Sequence, residues 1–77
     1  MNDTADELRD IIESVMGAPE KPIVGETKMA DICPDSLDFV EIVMEIEGIF
    51  YIGIDDEDMD AIQTFGDLVK LVEDRLS

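Results

Sequence analysis

A chain of 77 residues has room for one apolar core made of a few amphipathic elements, and too little interior for a deep enzyme cleft. It carries 21 acids, five bases and no histidine, a formal charge of −16, so it repels nucleic-acid phosphates and anionic membranes and draws basic protein surfaces toward it. Apolar residues make up 45% of the chain, which sets it apart from disordered acidic sequences and predicts a folded domain over residues 1–77.

Thr4-Ala5-Asp6-Glu7 has the spacing of a capping box, and Leu8, Ile11, Ile12, Val15 and Met16 follow at helical intervals, which predicts a first helix over about 4–16. Gly17, Pro19, Pro22 and Gly25 break that pattern. From there to Pro34 the chain reads as one long loop with a small apolar knot at Ile23 and Val24. Asp35 is placed to cap a second helix over about 36–50, with Asp38 in its first turn, where the helix dipole favours negative charge. The stretch Ile49-Phe50-Tyr51-Ile52-Gly53-Ile54 is rich in β-forming residues but has no partner strand, and reads as helix end and packed loop. Residues 55–62 suffice for one or two turns. Thr64 and Asp67 then cap a last helix whose Phe65, Leu68, Val69, Val72 and Leu76 share a face. The expected fold is all-α: a small up-and-down four-helix bundle, three main helices and one short one, with a long first loop.

The second helix is apolar on two sides. Phe39, Ile42, Val43, Ile46 and Phe50 make a core face, while Leu37, Val40 and Met44 form a second stripe interleaved with Asp38, Glu41, Glu45 and Glu47. That stripe has the make-up of a docking surface, and equally of a face covered by the loop 17–34. Ser36 has two readings as well, because a serine beside Asp35 at a helix start ordinarily caps the helix.

Asp35-Ser36-Leu37-Asp38, continued by Val40-Glu41-Ile42-Val43-Met44 and then Glu47 and Phe50, closely resembles the acyl carrier proteins. The similarity extends to the order of elements over nearly the whole chain. The resemblance implies that Ser36 bears a covalent 4′-phosphopantetheine arm, transferred from coenzyme A by a separate phosphopantetheinyl transferase with magnesium, and that the chain carries acyl thioesters without itself being a catalyst. It further implies that enzymes of fatty acid, lipid or polyketide synthesis dock through basic surfaces on Asp35, Leu37, Asp38, Val40, Glu41, Met44 and Glu47. An acyl chain would fold back among Val43, Ile46, Phe50, Ile54, Met59, Ile62 and Leu68.

Three departures mark a specialised member: Cys33-Pro34 where the family commonly has Gly and Ala, Gly48-Ile49 where it usually has consecutive glutamates, and Asp55 where it often has Pro. A monomer is expected, with Ile49, Tyr51 and Ile52 as the surface for any self-association. The single Cys33 leaves no internal disulfide, in keeping with a reducing compartment. The opening MNDTADELRD has no apolar signal core and no run reaches membrane-spanning length, so a cytoplasmic protein without membrane insertion is expected.

A second class of function is calcium binding, because Asp56, Asp58, Asp60 and Asp67 fall on positions 1, 3, 5 and 12 of a twelve-residue loop. Ala61 stands where such a loop needs Gly, so no specific metal site is expected. A third is an acidic interaction module that is never modified.

Overall fold

Short acidic side chains decide where most of the helices begin. In the computed structural model, which describes residues 3–77, five helices follow one another: α1 (Thr4–Met16), α2 (Met29–Ile32), α3 (Ser36–Phe50), α4 (Asp56–Ala61) and α5 (Phe65–Leu76). No strand forms among the described residues, and the apolar stretch 49–54 is helix end and loop as expected. Asp3, Asp35 and Asp55 cap α1, α3 and α4, each accepting from a backbone N–H of the first turn, and Thr64 caps α5 in a reciprocal box with Asp67.

Two expectations are corrected. The box proposed for Thr4 and Glu7 does not form. Asp3, one residue earlier, takes the cap by accepting from the Asp6 N–H at 2.8 Å, which pulls Thr4 into the helix. The connection 17–34 is not one loop either, since Met29–Ile32 makes a helical turn. Its N-cap, Lys28, offers no side-chain cap. The orphan N–H of Met29 is met from across the molecule, donating to the Gln63 carbonyl at 2.9 Å.

The core is wholly apolar, with no polar or charged side chain buried among the described residues. Leu8, Ile11 and Ile12 of α1 meet Ile42, Val43 and Ile46 of α3 and Phe65, Leu68 and Val72 of α5, and α1 packs on both of the other helices. Each such side chain contributes on the order of 1.5–3 kcal/mol through burial. Leu76, expected on the buried face of the last helix, is about half exposed at its end.

The first connection is laid over this core by three backbone bonds. Besides Met29 to Gln63, Phe65 N–H donates to Thr27 O at 2.8 Å and Gly66 N–H to Gly25 O at 2.9 Å. The approach at Gly66 leaves no room for a side chain, because a Cβ there would lie 2.9 Å from the Gly25 carbonyl oxygen. Arg9 reinforces the same seam. Its Nε donates to Ile23 O at 2.8 Å, its guanidinium pairs with Asp6 at 2.9 Å, and it lies 5.2 Å from the centre of the Phe65 ring.

At the opposite end α3 stops on Tyr51, which takes the left-handed conformation (φ 57°, ψ 47°). The following segment is held from both sides. Glu47 accepts the Ile54 N–H at 2.9 Å, and Arg75 donates to Gly53 O and to the Asp58 carboxylate, both at 2.7 Å.

Gly66→Ala is expected to lower stability by about 1–3 kcal/mol, several degrees in melting temperature, because the methyl group meets backbone that cannot yield. Thermal unfolding followed by circular dichroism measures it. The Arg75 guanidinium, and after it the backbone N–H bonded from Asp55, hold the Asp58 carboxyl below its ordinary 3.8. A carboxyl lowered on folding stabilises above its unfolded value and loses that contribution as pH falls through the folded one. The melting-temperature gap between the wild type and Asp58→Asn is therefore expected at neutral pH and should close as the pH falls below the ordinary carboxyl value of 3.8.

Candidate functional site

Ser36 is the first residue of α3, and it is not the cap. Asp35 performs that task through its carboxylate, which accepts the Leu37 N–H at 2.9 Å, while its carbonyl accepts the Asp38 and Phe39 N–H groups at 3.1 and 3.3 Å. The Ser36 side chain is exposed, and its hydroxyl makes no hydrogen bond among the described residues. Of the two readings open from the sequence, the geometry removes the cap and leaves a free hydroxyl at the positive end of a fifteen-residue helix.

Beside Ser36 opens a cleft of roughly 520 Å³, walled by Met29 and Cys33 of the α2 segment, Phe39 of α3 and Ile62 and Thr64 of the α4–α5 connection, with Lys28 at its edge. These walls were only partly legible from sequence. Ile62 is one of the seven residues expected to surround an acyl chain; the other six do not line this cleft. Val43, Ile46 and Leu68 are closed into the core, Ile54 and Ile62 are buried, and Phe50 and Met59 are half-buried. Met29 was missed because the segment carrying it lacks a helix signal. Once α2 is seen to fold there, Met29 turns inward at 4% exposure.

The second stripe of α3 lies open to solvent. Leu37, Val40 and Met44 are 75%, 40% and 65% exposed, so the first connection does not cover them. Asp35, Glu41 and Glu45 are exposed around them and Asp38 is partly so. Glu47, grouped with them from sequence, is differently employed, since its half-buried carboxylate is bonded to the Ile54 backbone.

The calcium-loop alternative does not match this geometry. Asp56–Ala61 is helix, Asp58 is engaged with Asp55 and Arg75, and Asp67 accepts the Gln63 and Thr64 N–H groups at 3.1 Å. These bonds, Gln63 first, also hold the Asp67 carboxyl below its usual range. No cluster of three or more metal-binding side chains occurs among the described residues.

Cys33 is 5% exposed, and its thiol donates to the Met29 carbonyl at 3.3 Å. Burial pushes its pKa up, and the negative charge of Asp38 adds to that. A thiol held protonated is a poor nucleophile. Alkylation of Cys33 by iodoacetamide at mildly alkaline pH is accordingly expected to run at least about tenfold slower in the folded chain than in urea, as read by intact mass.

Residues 6–72 match the family described as a phosphopantetheine attachment site. An acyl carrier protein of Thermotoga maritima is 37% identical over 70 residues, which span 90% of this chain and 86% of that protein. The crystal structure of an acyl carrier protein from the same organism superposes with a TM-score of 0.78 at 27% identity, covering 91% of this chain and 82% of that one.

Proposed function

Because the chain belongs to the acyl carrier proteins, whose covalent group is 4′-phosphopantetheine, we propose that Ser36 is its point of attachment and that residues 1–77 form one carrier domain. The observation that carries this reading is the division of labour at the start of α3: Asp35 caps, and the Ser36 hydroxyl is left exposed and unbonded. When bound, the group supplies a terminal thiol that holds an acyl chain as a thioester.

The residues around Ser36 fit such an attachment. The positive end of α3 favours a phosphodiester, while Asp35 and Asp38 oppose it; both lie toward solvent, which screens them. Among the described residues no side chain is hydrogen-bonded to the hydroxyl to take its proton, in a chain without histidine. Its activation thus falls to the transferase, which supports a carrier over a catalyst. The cleft walled by Met29, Cys33, Phe39 and Ile62 starts at Ser36 and gives an apolar chain a way toward the core. Movement of Phe39 and Ile62 would bring it to Val43, Ile46, Phe50, Ile54, Met59 and Leu68.

For docking, Leu37, Val40 and Met44 offer apolar contact, and Asp35, Asp38, Glu41 and Glu45 set the approach of basic partner surfaces. Glu47 serves mainly to fix the backbone at Ile54. No helix among the described residues is long and apolar enough to cross a membrane, and a cytoplasmic carrier delivering acyl groups to fatty acid, lipid or polyketide enzymes is the reading that fits.

Incubation of the full chain with coenzyme A, magnesium and a broad-specificity phosphopantetheinyl transferase is expected to add the mass of one phosphopantetheine. Ser36→Ala, folded to the same helicity, should gain none. Modification persisting in that variant would overturn the assignment.

A further inference from the structure

The side chain of Lys28 is not explained by what surrounds it. It stands at the N-cap of α2, where a side chain that accepts a hydrogen bond is favoured, and an ammonium group can only donate. Nor does it find a carboxylate. In a chain with 21 acids, the ion pairs among the described residues are Arg9 with Asp6 and Arg75 with Asp58. The backbone of Lys28, by contrast, is held firmly. It pairs with Thr64 in an isolated antiparallel bridge, and its carbonyl accepts the Asp31 and Ile32 N–H groups at 3.0 and 3.3 Å. The root of the side chain is therefore fixed, and only its four-carbon stem is left to move.

The place where it is fixed is the edge of the cleft that begins at Ser36, and the charge of that cleft runs against the rest of the molecule. No carboxylate lines it, and Lys28 is its one charged side chain. Elsewhere the acids intrude: Asp58, Asp67 and Asp74 line the cleft between α4 and α5, and Asp6, Asp10 and Glu13 line the one along α1. On a surface of formal charge −16, a cleft walled by neutral residues and one unpaired lysine is the setting in which an anion is least opposed.

We propose that Lys28 supplies the positive charge for a phosphate ester on Ser36 and so turns the attached arm over this cleft. That the phosphate belongs to phosphopantetheine rests on the carrier reading. A phosphate on the Ser36 hydroxyl meets Asp35 and Asp38 on the helix side and the lone ammonium on the cleft side, so the local field draws it toward the cleft. A lysine stem reaches about 6 Å from its Cα, and its exposed end is free to follow the phosphate. The arm beyond the phosphate then lies over Met29, Cys33, Phe39 and Ile62.

The test uses the full chain with phosphoserine incorporated in place of Ser36 during translation, titrated by phosphorus NMR at low ionic strength beside its Lys28→Gln, Lys28→Arg and Lys21→Gln variants. A neighbouring ammonium favours the dianion, so the second pKa of the monoester, ordinarily about 6, is expected to lie about 0.5 lower in the parent than in Lys28→Gln. Lys28→Arg should restore the parent value, and about 0.5 M salt should narrow the gap. Lys21→Gln removes the same charge from a residue outside this cleft and should leave the value nearly unchanged. No effect of Lys28→Gln, or an equal effect of Lys21→Gln, would overturn the proposal. In the chain loaded with phosphopantetheine, the phosphodiester signal should move with Lys28→Gln and not with Lys21→Gln, and a signal indifferent to Lys28 would overturn it as well. Because phosphoserine needs no transferase, a chain that refuses the arm would defeat the carrier reading alone, and the titration would still decide the role of Lys28.

Discussion

The bond from the Leu37 N–H to the Asp35 carboxylate settles what the start of α3 is free to do. A helix beginning with an uncapped serine would draw that hydroxyl back onto its own backbone. With aspartate one position earlier, the cap is made by a side chain that is also favoured by the dipole, and the serine is released to solvent. The same device recurs at Asp3 and Asp55. Part of a heavy acidic load, 21 carboxylates in 77 residues, is thereby used to begin helices, where negative charge stabilises instead of repelling.

Two of the five basic residues stand at seams. Arg9 binds the first connection to α1 and faces the Phe65 ring of α5, and Arg75 joins the end of α5 to the segment after α3 and to α4. Between them the two arginines reinforce irregular segments that Ile23 and Ile54 anchor in the apolar core. On the outer face of α3, Glu41 and Glu45 are exposed and have no ion pair or side-chain hydrogen bond among the described residues, which leaves their charge available to whatever approaches from outside.

The long helices were legible because apolar periodicity and a cap residue agreed in each. Phe65, Leu68 and Val72 follow Thr64 and Asp67 as they should, and Ile42, Val43 and Ile46 follow Asp35. What escaped had a non-local cause. The first turn of α2 is satisfied by Gln63, far along the sequence, so nothing beside Lys28 announces it. The bounds of α1 agree with the apolar spacing, but its cap is Asp3 and not Thr4 in a box with Glu7, since Thr4 also has the right spacing while aspartate competes well for a cap. At the site, local pattern left Ser36 as either a cap or a free hydroxyl and the second stripe of α3 as either an open or a covered face, and only the folded geometry decides between them. Of the cleft's walls Ile62 alone was expected, and Met29 meets it only after the chain has folded back on itself. Glu47 shows the converse error: its position along α3 suggested an outward role, and only the turn at Tyr51 brings the Ile54 backbone within its reach.

The bonds of Arg75 bear on how this small molecule can yield. Its contacts to Gly53 and Asp58 lie at the surface, and exposed ion pairs hold their elements only weakly. By contrast, α1, α3 and α5 are joined through fully buried side chains. The short helix α4 buries none of its own residues, and is held by these surface bonds and by Ile54 and Ile62 in its flanking turns. Among the described helices α4 is thus the one whose local opening disturbs the fewest buried side chains.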